Sequence, residues 1–234
     1  MTGMTPAPAW LTRLAARADA AGHPWFAAHP APAEGVRRSA VLVLFGPDPA
    51  GGTDVVLTER AHTLRSHPGQ VSFPGGRLDP GDDGPVGAAL REAQEEVGLD
   101  PSGVEVLATL PTLHLAPTGN AVTPVLGWWP APVPVGVVDT AEVARVDRVP
   151  VADLLAARHR FTAVFGPYRG PGFEVDGLFV WGFTAMLLDA VLDLAGLTEP
   201  WDHGVERALP DRVRSPWMRG LEDRPDPGET EDEP

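Results

Sequence analysis

The chain has 234 residues, 43% of them hydrophobic, and carries 32 acidic against 18 basic side chains for a formal net charge of −14. That length and apolar share suit one domain with appendages, and the negative balance excludes a general nucleic-acid binder, which needs a basic face for phosphates. Cysteine is absent, so disulfides and thiolate metal sites are excluded, and any metal must be held by oxygen or imidazole ligands.

The N-terminal stretch MTGMTPAPAWLTRLAARADAAG lacks the continuous apolar core of a secretory signal. Trp10, Leu11, Leu14 and Ala18 follow helical spacing and predict a surface helix. Pro24 to Val36, rich in proline and alanine, reads as an extended arm. Residues 1–36 are thus an N-terminal helix and linker arm ahead of a body spanning 37–200. The body opens with Val41–Phe45, turn residues from Pro47 to Thr53, and Val55–Thr58, the pattern of a hairpin. Val71–Phe73 predicts a third strand, stopped by Pro74 and Gly75.

Pro85 suits the first turn of a helix and Gly98 its C-terminal stop, which predicts a helix from about Pro85 to Val97. Strands are expected at Val104–Leu110, Val122–Trp129 and Val143–Val149. The longest apolar stretch, Gly177 to Leu197, carries Asp189 and Asp193, which a bilayer would penalise, so it reads as a core helix near Trp181–Leu197 and not a membrane span. Strands, a helix, more strands and a closing helix make a mixed α/β body. Residues 201–220 form a C-terminal extension. Residues 221–234, acidic and proline-rich, are expected to be disordered. With no signal, span or cysteine, a cytoplasmic location is the expectation.

The helix from Pro85 places Glu92, Glu95 and Glu96 within about one third of its circumference, one acidic face. Val86, Ala89, Leu90, Ala93 and Val97 form an adjoining apolar face that can pack on a sheet. Arg91 lies one turn before Glu95 and can pair with it or with an acid of the preceding loop, yet one arginine does not neutralise three carboxylates. A hard divalent cation such as Mg²⁺, bound together with substrate phosphates, would. A solvated acidic face is the competing reading.

With its flanks, PGGRLDPGDDGPVGAALREAQEEVGLD resembles the Nudix box, G-x5-E-x7-R-E-U-x-E-E-x-G-U, where U is apolar. Gly76 supplies the first glycine, and Arg91, Glu92, Glu95, Glu96, Gly98 and Leu99 match its close. The sequence departs at the first acid, which is Asp82 or Asp83, and at Ala93 in an apolar position. Upstream, LTERAHTLRSHPGQVSFPGG is similar to the signature of the subgroup that cleaves coenzyme A. Leu57, Thr58, Arg60, Arg65, Gly69, Phe73, Pro74, Gly75 and Gly76 match it, and Ala61 replaces a serine. VTPVLG at Val122 and FVWGFTA at Phe179 look like that subgroup too.

The resemblance implies a Nudix-type α/β/α sandwich with a mixed central sheet. It implies hydrolysis of the diphosphate of coenzyme A and its acyl derivatives, giving 3′,5′-ADP and (acyl-)4′-phosphopantetheine. Arg91, Glu92, Glu95 and Glu96 would be catalytic, the three glutamates holding Mg²⁺ or Mn²⁺, while Arg60, Arg65, Gly69, Phe73, Gly75 and Gly76 would bind substrate. The fork of guanidinium suits phosphate. Glu142 resembles an acidic position where a further ligand or base sits in related enzymes, against the plainer reading of an exposed loop acid. His62, His67 and His114 read as solvated loop histidines, and Trp128, Trp129 and Trp181 as packing. The partner is a small-molecule substrate, neither nucleic acid nor membrane, and relatives imply a homodimer as one expectation. Two alternatives stay open: hydrolysis of another nucleoside diphosphate derivative such as ADP-ribose or NADH, and a catalytically silent nucleotide-binding domain.

Overall fold

The computed structural model describes residues 4–18, 23–30, 36–64, 67–115 and 119–214. In chain order the elements are α1 (Ala9–Ala15), α2 (Pro24–Ala28), β1 (Arg37–Pro47), β2 (Thr53–Arg60), β3 (Val71–Ser72), β4 (Gly75–Arg77), α3 (Gly84–Val97), β5 (Glu105–Thr109), β6 (Leu113–Leu115), β7 (Asn120–Trp128), β8 (Val143–Pro150), α4 (Val151–Leu155), β9 (Arg160–Phe165), β10 (Tyr168–Val175), β11 (Leu178–Val180), α5 (Gly182–Leu194) and β12 (Glu206–Ala208). The large sheet runs β3-β2-β1-β7-β5, with β4 also on β1, β6 on β7 and β8 on β2. Its centre is the parallel pair β1–β7, and the other pairings are antiparallel, so the sheet is mixed. A second sheet runs β11-β10-β9-β12.

Alternation along β1 and β2 splits the apolar residues between two faces. Leu42, Leu44 and Val56 face α3 and pack with its Ala88, Ala89, Ala93 and Val97. Small alanines bring the helix axis close to the sheet, which fixes the acidic face that the helix carries. Val43, Phe45, Val55 and Leu57 face the other way, into a core shared with α5 and the second sheet. Helices on both sides of a mixed sheet make the α/β/α sandwich. The hairpin of β1 and β2 is present, with Phe45 opposite Val55.

The N-terminal helix lies at the surface as expected, with Ala9, Thr12 and Arg13 exposed, and packs its other face inward: Leu11 and Leu14, three residues apart, form an apolar stripe buried in the main core. The Trp128 indole donates to the Thr5 carbonyl at 2.8 Å and fastens the same segment. Pro24–Ala28 is a short helix and not an extended arm, since proline at its first position is tolerated and Phe26 is buried. The apolar stretch from Gly177 divides into strand β11, all of it buried, and α5. The tail 221–234, read as disordered, lies outside the described residues. Within the C-terminal extension, β12 pairs in parallel with β9. Among the described residues no helix is long and apolar enough to cross a membrane.

Candidate active site

Helix α3 ends at Gly98 in a left-handed conformation (φ 70°), whose N–H donates to the Gln94 carbonyl at 3.0 Å while Leu99 N–H donates to Ala93 O. One turn of this helix and the strand pair β1–β4 build the site. β4 lies antiparallel to β1, with Ala40 opposite Gly76 and Val41 opposite Gly75. A Cβ at Gly75 would come within 2.4 Å of the Ala40 carbonyl oxygen, and one at Gly76 within 2.5 Å of both Glu92 carboxylate oxygens. Any side chain at residue 76 would therefore displace the Glu92 carboxylate.

Glu96 is buried, and its Oε2 accepts the Gly75 N–H at 3.1 Å. Burial pushes its pKa up to about 7; the Gly75 hydrogen bond and the Arg60 charge oppose this, while Glu92 and Glu142 add to it. Burial likewise raises Glu92, against the pull of Arg91 and with the push of Glu95 and Glu142. Glu95 turns outward, its side chain 60% exposed.

Arg91 orders this face. Its Nε and Nη2 donate to Asp82 Oδ1 and Oδ2 at 2.9 and 3.1 Å, a bidentate pair, and Nη1 donates to Glu92 Oε1 and Glu95 Oε2, both at 3.0 Å. Nη2 also donates to the Arg77 carbonyl at 3.0 Å, which ties the helix to β4. The Asp82 contact, then Glu92, raises the Arg91 pKa, and the same contact lowers that of Asp82. Asp82 is thus the loop acid that Arg91 selects, its Oδ2 further held by the Asp79 N–H at 2.7 Å. Asp83 sits at the helix N-cap with no side-chain capping bond.

Glu92 and Glu96 come together over Gly75 and Gly76 of β4, while Glu95 is held aside by Arg91. Among the described residues no three acid or imidazole side chains converge as a ready-made metal cage. Yet Arg91 spreads its charge over three carboxylates, and the raised Glu92 and Glu96 are all-oxygen donors whose negative charge is incompletely offset. That donor set fits a hard divalent ion, which keeps several waters and shares its shell with substrate phosphates.

Arg60 lies at the end of β2, and its buried Nε has no hydrogen-bond partner among the described residues. Its N–H donates to Gln70 O at 2.9 Å, and Gly69 N–H donates back to Arg60 O at 3.1 Å, closing the base of the loop between them. Arg65 lies outside the described residues. Phe73 is 1% exposed within the main core, so its side chain packs and only its backbone leads into the glycine turn. His67 is partly buried, its Nδ1 3.0 Å from Gln70 Oε1, and burial lowers its pKa; His62 sits 3.4 Å from Glu59. Glu142 is an exposed residue before β8 whose carbonyl accepts the Ala61 N–H at 2.8 Å, and its charge reaches both Glu92 and Glu96. Its place beside the acidic face depends on the long-range pairing of β8 with β2, which carries no local sequence signal.

The family model described as the NUDIX domain matches residues 35–165. The chain is 41% identical over 157 residues to the uncharacterized Nudix hydrolase NudL of Cronobacter sakazakii, an alignment covering 65% of this chain and 79% of that one. It is 39% identical over 158 residues to the NudL of Escherichia coli K12, with the same coverage. A solved Nudix hydrolase from M. smegmatis, RenU, shares the fold with a TM-score of 0.50 at 20% identity, over 73% of this chain and 92% of that one. Nudix hydrolases act on diphosphate bonds and generally use divalent metal ions. The α/β/α sandwich, the Arg91-centred carboxylate face behind a glycine turn and these matches lead to one conclusion: the chain belongs to the Nudix hydrolase family.

Proposed function

We propose that this enzyme hydrolyses the diphosphate of coenzyme A and its acyl derivatives, acting in the cytoplasm and releasing 3′,5′-ADP and (acyl-)4′-phosphopantetheine. The observation that carries the reading is Arg60, whose buried Nε lacks a partner among the described residues and whose charge is felt by Glu96. On this reading Arg60, which matches an arginine of the coenzyme A signature, would bind a substrate phosphate beside the acidic face. Glu92 and Glu96, with Glu95 at the rim, would hold Mg²⁺ or Mn²⁺, which when bound neutralises diphosphate charge and lowers the pKa of a coordinated water. Arg91 fixes the Glu92 rotamer and keeps the loop acid Asp82 docked. Gly76 leaves room for the Glu92 carboxylate, and Gly75 for the close approach of the β1 backbone. One acid of this face takes the proton of the attacking water as the bond to the departing phosphate breaks.

The test is incubation of the protein with coenzyme A, ADP-ribose and NADH separately, each with Mg²⁺, Mn²⁺ or EDTA, and chromatography of the products. The expected result is metal-dependent release of 3′,5′-ADP from coenzyme A, abolished by EDTA. Cleavage of ADP-ribose or NADH with coenzyme A spared would leave the family chemistry standing and overturn the substrate. No turnover of any of them would favour a silent nucleotide-binding domain.

A further inference from the structure

The base of the Arg60 loop is braced from a part of the chain that the family model, ending at residue 165, does not reach. Gly69 has φ +64°, and a Cβ on it would lie 2.7 Å from the carbonyl oxygen of Arg212 and 2.7 Å from His62 Nδ1. The backbone after β12 therefore lies directly on the turn that closes the loop. That segment is itself anchored: Leu209 and Val213 are each 1% exposed, packed with Phe161, Ala163, Phe165 and Phe179 of the second sheet. Arg212 Nη2 donates to Gly177 O at 3.3 Å, which ties it to the turn before β11. On the far side of the turn, Thr184 Oγ1 of α5 donates to the Val71 carbonyl of β3 at 2.9 Å, a buried bond. The C-terminal segment, anchored on the second sheet, and α5 thus both contact the loop base, whereas the core cluster that seats the catalytic helix holds no residue of α5 or the second sheet.

We propose that the segment from β12 to Arg214 is a positioning clamp that seats the Gly69 turn, and through it Arg60, so that the C-terminal region sets substrate affinity while α3 sets the chemical step. Val213 is the positioning residue through which the clamp is anchored. The inference rests on the reading of the Arg60 loop as part of the substrate site, and not on coenzyme A being the substrate.

The experiment compares full-length Val213→Ala with Val151→Ala, which removes the same volume from a buried position of α4 at the opposite end of β2 from Arg60, and with the conservative Val213→Ile. Amide hydrogen exchange reads the ligand-free protein. Val213→Ala should accelerate exchange of the Arg60 and Gly69 amides, which bond across the loop base, by about tenfold while those of α3 stay unchanged. On whichever diphosphate of the panel the wild type cleaves, it should raise KM about five- to tenfold with kcat within about twofold, and Val213→Ile should restore both. Loop-base exchange no faster than in Val151→Ala would overturn the clamp. Faster exchange with unmoved KM, or a fall in kcat alone, would overturn its role in affinity. If coenzyme A is spared and another diphosphate is cleaved, the substrate reading fails while KM on that diphosphate still tests the clamp.

Discussion

Two of the arginines that pair with carboxylates, Arg91 and Arg160, do so in opposite ways. Arg91 stands at the surface of α3 and directs its N–H groups to Asp82, Glu92, Glu95 and the Arg77 carbonyl. Arg160 is buried in β9, pairs with Asp189 of α5, leaves Nε and Nη1 without partners, and lies between the rings of Phe173 and Trp201 at 5.0 and 4.8 Å. The first assembly gathers carboxylates around one arginine at the surface of the helix. The second stacks a cation between aromatic faces and fastens a sheet to a helix. An ion pair alone therefore does not mark a reactive site; exposure and the surplus of acid over base do.

The strongest way to break the contrast is Glu96→Gln, which keeps shape and removes charge. It should lower kcat by at least about 100-fold while leaving the melting temperature within a few degrees, because on the proposed reading it strips a metal ligand and not a packing contact. Turnover within a few-fold of wild type would remove Glu96 from the principal ligands. Asp189→Ala should do the reverse. Stranding a buried guanidinium costs about 2–3 kcal/mol, discounted here because the Asp189 side chain is 36% exposed, and denaturant unfolding should register that loss with kcat nearly intact.

A third pair sharpens the comparison through pH. Asp54 is 2% exposed beside Arg148 at 2.7 Å, yet burial outweighs that partner and pushes its pKa up from 3.8 to about 6. A raised carboxyl pKa gives stability that is fully present below pH 3.8 and is lost as pH rises through about 6. The stability of wild type relative to Asp54→Asn should thus fall by about 2 kcal/mol between pH 4 and 7 in denaturant titrations. A flat difference would mean that Arg148 keeps Asp54 ionised throughout. The smallest effect separates the two loop acids. Asp82→Asn should reduce kcat about tenfold through a loosened Arg91, whereas Asp83→Asn, at the helix N-cap, should change it less than about twofold.

The active helix was legible because its information is local. The proline start, the glycine stop and the spacing of Glu92, Glu95 and Glu96 all fall within one window, and the structure returns the helix as Gly84–Val97. The strands flanking it in sequence were legible for the same reason. What escaped depends on distant partners. Asp82 and Asp83 are indistinguishable as letters, and only the position of the Arg91 fork separates them. Leu11 and Leu14 look like one stripe of any surface helix until a sheet face is there to receive them. The second sheet pairs short strands interrupted by Gly166, Gly170 and Gly172, too weakly patterned to be read alone. The C-terminal brace at Gly69 is a backbone contact with no side-chain signature at all.

The parallel pairing of β1 with β7 places Arg37 opposite Asn120 and Phe45 opposite Trp128, and it sets a timetable for the chain. The floor on which α3 rests is incomplete until β7 has been made, so on the ribosome the acidic helix emerges before its support exists. Loop closure over so long a span is slow, on the scale of milliseconds to seconds for topologies rich in distant contacts. During that interval the apolar strip of α3 has only part of its seat, and the acidic face is fixed only when the middle of the sheet is joined.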